Sequence, residues 1–190
     1  DLRMSRGLGD VYKRQLIHNL MDVVNQTGAW VPLYIMTSDK NNKDTVEFFE
    51  EHNYFGYDKD YVKFFIQSMV PSVNYNGKLY MESTDSLAMS PNGNGGWFLS
   101  LIAAGLDKDM QHKGIEYVNV FAVDNILQRI ADPAFIGATI LAGAECGSKV
   151  VRKCEPAEKV GVMCRVNGHP SIIAVSYTHL RAHETCADLV

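Results

Sequence analysis

Apolar residues recur at three- and four-residue spacing through Leu16-Ile17-His18-Asn19-Leu20-Met21-Asp22-Val23-Val24 and stop before Thr27-Gly28. That period predicts an amphipathic helix, with His18 on its face rather than acting as a ligand. Val31 to Thr37 is a short, nearly continuous apolar run, the pattern of a strand buried on both faces of a parallel sheet. Ser38 or Asp39 can cap the helix that follows. Asp44 to His52 places Val46, Phe48 and Phe49 on that helix, which ends near Asn53 and Gly56. Tyr61 to Gln67 is the next strand, and the paired aromatics Phe48-Phe49 and Phe64-Phe65 read as core.

Between Pro71 and Met89 the pattern becomes alternating, with Asn76-Gly77 as its turn, which predicts a hairpin projecting from the main sheet. Pro91-Asn92-Gly93-Asn94-Gly95-Gly96 then opens a helical run from Trp97 to Gly105. Ile115 to Val123 reads as a buried strand stopped by Asp124-Asn125, and Ile126 to Ile130 and Pro133 to Leu141 read as helical. Lys149 to Lys153 and Val160 to Val166 are expected strands, the second turning at Asn167-Gly168. Strands alternating with helices predict an α/β sheet.

The two ends do not follow this patterning. Asp10-Val11-Tyr12-Lys13-Arg14-Gln15 back-translates as GATGTGTATAAGAGACAG, the end of a transposon adapter used in sequencing libraries. Val175 to Thr185 back-translates into the same adapter in the opposite sense. Unrelated protein ends are not expected to be reverse complements, so residues 1–15 and 174–190 are read as adapter-derived and residues 16–173 as the natural segment of a longer parent. His179 and His183 therefore carry no weight as metal ligands.

The whole chain holds 18 Lys and Arg against 22 Asp and Glu, a net charge of −4, and setting the ends aside makes it more acidic. Phosphate neutralisation needs clustered basic residues, so this balance argues against a nucleic-acid surface. Cys146, Cys154 and Cys164 form no CxxC pair, which suits a reducing cytoplasm. No apolar run approaches the roughly twenty residues of a membrane helix.

Four places suit chemistry. The loop Asn92 to Gly96 lets backbone come close to a ligand, and free N–H groups at a helix start attract negative charge. It does not match GxGxxG, since Phe98 stands where the third glycine belongs, and it lacks the Lys-Ser/Thr of a P-loop. A plain structural turn remains open. Asp124, just past the carboxyl end of an expected strand, is either a Mg²⁺ and phosphate ligand or a helix N-cap. Gln67 also ends an expected strand, where its amide is either a reader of a base edge or a solvated side chain. Gly161, between two valines, marks a close backbone approach or a bulge.

Taken in order, Trp30 to Ser38, Tyr54-Phe55-Gly56, Phe64-Phe65-Ile66-Gln67, Met89 to Gly96, Val123-Asp124-Asn125, Asp132 to Gly137, Gly143 to Val151 and Val160-Gly161-Val162 resemble UDP-sugar pyrophosphorylases, especially the UDP-N-acetylglucosamine pyrophosphorylase type. The resemblance implies an incomplete Rossmann-like nucleotidyltransferase core, with a mixed, mostly parallel sheet and helices on both faces. It implies uridylyl transfer from UTP to a sugar-1-phosphate, with Mg²⁺ as cofactor. It places Gln67, Pro91, Gly93 and Gly95 at the nucleotide, Asn94 and Gly161 at the sugar, and Asp124 at the phosphates and Mg²⁺. The family's N-terminal glycine-rich phosphate loop with its Arg, the first strand's Lys, and the downstream Glu and Lys fall outside residues 16–173.

Two other classes remain in view. A dinucleotide-dependent oxidoreductase needs an acidic ribose ligand about twenty residues past the glycines, and Glu116 lies near there but starts a strand rather than ending one. A non-catalytic sugar-nucleotide-binding domain shares the expected fold.

Overall fold

The computed structural model describes residues 2–123, 125, 127–155, 158 and 160–173, with the backbone alone over residues 2–12. The chain divides into two compact units, one through Glu145 and one from Cys146 onward.

In the first unit the helix expected from Leu16 is the second half of α1 (Leu2–Thr27). Leu16, Ile17, Leu20, Val23 and Val24 repeat on one face and are all buried. They form a cluster with Phe49, Tyr57, Val62, Ile130 and Ala131. The helix ends where Gly28 takes φ +71° and returns its N–H to the Val24 carbonyl at 2.8 Å. Left-handed backbone of that kind is cheap for glycine, which has no Cβ.

β1 (Leu33–Thr37) and β2 (Val62–Ile66) pair in parallel, Leu33 opposite Val62 and Thr37 opposite Ile66. The connection between them carries α2 (Asn42–Glu51), so this is the expected βα unit. Its cap differs from expectation: Asn41 is the capping residue, and its amide oxygen accepts from the Ser38 N–H at 2.8 Å. β1, expected to be buried on both faces, is mostly half-buried, because within the described residues it has only β2 as a ladder partner. Past α2 the chain turns through Asn53, Tyr54 and Phe55, all with φ near +50°. Left-handed backbone costs a non-glycine residue about 1–2 kcal/mol. Ring packing opposes that strain: Phe49 meets Tyr54, Phe55 and Phe64 edge-on at centroid distances of 6.0, 5.6 and 5.3 Å.

The hairpin expected from Pro71 to Met89 is present. β3 (Met69–Pro71) and β4 (Met89–Pro91) pair antiparallel, and isolated bridges join Val73 to Leu79 and Met81 to Leu87. At the turn the Asn74 side chain accepts from the N–H groups of Asn76 and Lys78, each at 2.9 Å, and Gly77 takes φ +75°. The helical run expected from Trp97 to Gly105 is α3 (Trp97–Ala103), and beyond Gly105, with φ +74°, a further short helix α4 (Leu106–His112) follows that the pattern does not predict. α5 (Pro133–Leu141) starts as expected, with Pro133 in its first turn and Asp132 Oδ1 accepting from the Ala134 N–H at 3.2 Å.

Two expected strands are corrected. Ile115 to Val123 is irregular, and so is Lys149 to Lys153. Apolar patterning marks a segment as able to enter a sheet, but a strand exists only where a neighbour exchanges backbone bonds with it, and neither segment has one among the described residues. The Asn119 side chain instead accepts from the Ala131 N–H at 2.9 Å. The helix expected over Ile126 to Ile130 is also corrected: its described residues form turns, followed by Ala131 at φ +49°. In the second unit β5 (Val162–Val166) and β6 (His169–Ile173) form the expected hairpin around Asn167-Gly168.

A polar tie joins β1 to α4. The Tyr34 hydroxyl donates to Asp109 Oδ2 at 2.6 Å, and Lys113 Nζ donates to both oxygens of that carboxylate at 2.7 and 2.6 Å. Burial, then the Asp109 bond, push the Tyr34 hydroxyl far above the usual tyrosine range. The Lys113 bonds foremost, then Tyr34's, hold Asp109 below the ordinary carboxylate value. Nearby, burial pushes Tyr57 up to about 12, while its hydroxyl donates to the Val31 carbonyl at 2.6 Å.

A carboxylate with a depressed folded pKa stabilises the fold above its unfolded value near ~4, and that contribution is lost as pH falls through the folded value. Urea unfolding from pH 6 downward is therefore expected to show an acid loss that Asp109→Asn diminishes. Tyr34→Phe is expected to cost about 1.5–3 kcal/mol at neutral pH, as for a hydrogen bond to a charged group. An acid limb identical in wild type and Asp109→Asn would contradict the tie.

Candidate functional site

The carboxyl ends of β1 and β2 lie side by side, and the Gln67 N–H donates to the Thr37 carbonyl at 2.7 Å just past them. Ligands of open α/β sheets bind outside such strand ends. From here the chain passes through Gln67 and Ser68 into β3. The β3–β4 register sets Met69 opposite Pro91, and the Asn92 N–H continues the ladder to the Ser68 carbonyl at 3.2 Å. The glycine-rich loop is thereby laid against the end of β2, although it lies some way along the chain.

Side chains then fasten the two segments. Gln67 Nε2 donates to the Gly93 carbonyl at 2.9 Å. The Asn92 amide, oriented so that its nitrogen donates, reaches the carbonyls of Ser68 and Gly93, each at 3.2 Å. The Gly96 N–H closes a turn on the same Gly93 oxygen at 3.1 Å. Gly93 has φ +85° and ψ 159°, a region only glycine occupies without strain. At Gly96 a Cβ would stand 2.4 Å from the Asn92 amide, so the fold-back of Asn92 requires hydrogen there. Asn94 to Gly96 forms a 3-10 turn leading into α3, with Gly93, Asn94 and Gly95 exposed. Among the described residues, no acceptor within the chain is paired with the N–H groups of those three. Half-buried Gln67 therefore borders a short row of exposed donors.

Ser100 was not among the expected site residues. It is 2% exposed, and its Oγ accepts from the Ser68 N–H at 3.0 Å. The same oxygen lies 3.0 Å from the Gly96 carbonyl, which takes its proton, and 3.1 Å from Ser68 Oγ. The signal for it is a single hydroxyl inside the apolar run from Trp97 to Ala104.

The expected residues are not all brought together. Gln67, Gly93, Asn94 and Gly95 share this loop, and Pro91 is the exposed last residue of β4 leading into it. Gly161 belongs to the second unit, just before β5. A Cβ on it would sit 3.5 Å from the Ile173 carbonyl, an ordinary contact, so the close-approach reading gains no steric support there. Asp124 lies outside the described residues. An open groove of about 420 Å³ runs along β2 and α3, lined by Asn42, Phe64, Phe65, Ile66, Ser100 and Ala103 among others. It shares Ser100 with the loop, but neither Gln67 nor Gly93 lines it, and its walls are largely apolar.

Among the described residues, no three His, Cys, Asp or Glu side chains cluster as a metal site. Cys146 and Cys154 are exposed, Cys164 is buried, and all three are free. No helix of the described residues is long and apolar enough to cross a membrane.

A family model described as UTP–glucose-1-phosphate uridylyltransferase matches residues 14–188. The chain is 45% identical over 160 residues to the UDP-N-acetylhexosamine pyrophosphorylase-like protein 1 of Mus musculus, covering 84% of this chain and 32% of that one. It is 38% identical over 176 residues to the UDP-N-acetylglucosamine pyrophosphorylase of Saccharomyces cerevisiae, covering 92% and 37%. The chain thus spans about a third of the length of these curated relatives. The crystal structure of the uridine diphosphate N-acetylglucosamine pyrophosphorylase from Trypanosoma brucei in complex with inhibitor superposes with a TM-score of 0.74 at 32% identity, covering 94% of this chain and 38% of that one.

The loop geometry has a steric consequence that mutation can read. Gly96→Ala should displace the Asn92 amide and break its two bonds, destabilising the chain by about 1–3 kcal/mol. In an Asn92→Ala background the same change should cost far less, because the clash is gone. Urea midpoints of the two single variants and the double variant measure this, and additive costs would contradict the fold-back of Asn92.

Proposed function

The chain belongs to the UTP–glucose-1-phosphate uridylyltransferase family, and on that premise we propose that it forms part of the nucleotide cleft of an enzyme that transfers UMP from UTP to a sugar-1-phosphate. The observation that carries this reading is the exposed Gly93–Gly95 loop, fastened by Gln67 at the carboxyl end of a parallel strand pair. Its N–H donors suit the carbonyl oxygens of a uracil ring. With Nε2 engaged on Gly93, the oxygen of the Gln67 amide is the group left to accept from the ring N–H. Gly93 and Gln67 take the base, with Pro91 and Gly95 shaping the loop, and Asn94 is assigned to the sugar.

In the reaction a phosphate oxygen of the sugar-1-phosphate attacks the α-phosphorus of UTP. The new P–O bond forms as the bond to the bridging oxygen breaks, and pyrophosphate leaves with that electron pair. Phosphoryl and nucleotidyl transfers of this kind need little covalent help, so holding the two phosphates in line is the main task of the protein. Mg²⁺, when bound, neutralises charge on the phosphate oxygens, and Asp124 is the carboxylate assigned to it, in keeping with the oxygen preference of that ion. The names of the relatives favour an N-acetylhexosamine-1-phosphate as acceptor. A reducing cytoplasm is the assigned compartment, supported by the free thiols.

The parent is longer than residues 16–173 on this reading, and the phosphate loop and the lysines that stabilise the transferring group lie in its other parts. In an assay of pyrophosphate release from UTP and N-acetylglucosamine-1-phosphate, the chain alone is expected to give little or no turnover while UTP raises its melting temperature. Turnover near that of a full-length relative would overturn the division of labour. Stabilisation by NAD and not by UTP would overturn the uridylyl reading and favour dinucleotide chemistry.

A further inference from the structure

We propose that Ser100 is a positioning residue, whose buried hydroxyl locks Ser68, the residue that follows Gln67, to Gly96, the last residue of the glycine-rich turn, and so sets the spacing of the base-reading groups. The inference rests on the uridine-nucleotide reading above and deepens it.

The geometry is that of a joint. Gln67 reads outward from the end of β2, while Gly93, Asn94 and Gly95 present their N–H groups from the far side of a hairpin arm. β3 and β4 are only three residues each, so their ladder alone aligns the two segments weakly. Ser100 Oγ accepts from the Ser68 N–H at 3.0 Å and hands its proton to the Gly96 carbonyl at 3.0 Å, bridging the two backbones through one atom. Ser100 itself is 2% exposed, while Ser68 and Gly96 are half-buried, so the shared oxygen is the best-shielded part of the bridge. Ser68 follows Gln67 directly, and Gly96 N–H is bonded to the carbonyl that Gln67 holds. Removing the hydroxyl leaves the Ser68 N–H without its acceptor and frees the start of α3 to drift. The expected loss falls on the spacing between Gln67 and the exposed donors, not on the apolar core around α1, none of whose members Ser100 joins.

Amide hydrogen exchange on the full chain, with and without UTP, tests this. In Ser100→Ala the N–H groups of Ser68 and Gly96 are expected to exchange about tenfold faster, with those of α1 unchanged, and UTP binding is expected to weaken about tenfold. Ser100→Thr, which keeps the hydroxyl, should restore both. Unchanged exchange at Ser68 and Gly96 overturns the joint. Faster exchange there with undiminished UTP binding overturns its positioning role. If Ser100→Ala unfolds as a whole, the Thr variant decides: wild-type exchange and binding support the proposal, and their loss overturns it. If the wild-type chain does not bind UTP, the uridine reading fails by itself, and the exchange pattern still decides the joint.

Discussion

The carbonyl oxygen of Gly93 accepts from Gln67 Nε2 at 2.9 Å, from the Gly96 N–H at 3.1 Å and from the Asn92 amide at 3.2 Å, so donors from the strand end, the loop and the helix start meet on one atom. A carbonyl has two lone pairs, and three donors saturate it. With that oxygen engaged, the N–H groups of Gly93, Asn94 and Gly95, all exposed residues, are left without an acceptor among the described residues. Glycine is required twice for that arrangement, at Gly93 by a backbone conformation near φ +85° and at Gly96 by the Asn92 amide lying where a Cβ would be. A glycine-rich stretch that reads as a permissive turn is here a constrained one.

The same constraint explains the position of the loop in the fold. The parallel pair β1–β2 ends at Thr37 and Ile66, and the Gln67 N–H bond to the Thr37 carbonyl extends their alignment by one residue. The hairpin then carries the chain out and returns it antiparallel, so the loop comes back to the strand it left. Packing of α1 against Phe49, Tyr57 and Val62 supports the amino end of the pair, where Val62 stands opposite Leu33, and the Tyr34–Asp109–Lys113 tie fixes α4 to β1.

Residue patterning foretells much of this and fails in a consistent way. The spacing of Leu16, Ile17, Leu20, Val23 and Val24 predicts the buried face of α1, and the Asn76-Gly77 and Asn167-Gly168 pairs locate the turns closed by the Val73–Leu79 bridge and by β5–β6, while the turn between Met81 and Leu87 goes unread. The loop before Trp97 is equally legible from its glycines. Ile115 to Val123 is misread because an apolar run reports only that a segment suits a sheet, and the described residues give it no partner strand. The short helix α4 after Gly105 and the role of Ser100 are missed. A lone serine in an apolar helix is usually satisfied by its own preceding turn, and only the return of β4 shows that its oxygen also serves Ser68.

The proposed function sets uracil at Gln67 and Gly93, and the most direct test follows the backbone amides while UTP is added. In a ¹⁵N-resolved titration of the chain, the resonances of Gly93, Asn94 and Gly95 and the Gln67 side-chain amide should shift together and saturate at one affinity. Shifts confined to residues along the Phe65–Ala103 groove, with the glycine loop unmoved, would contradict it.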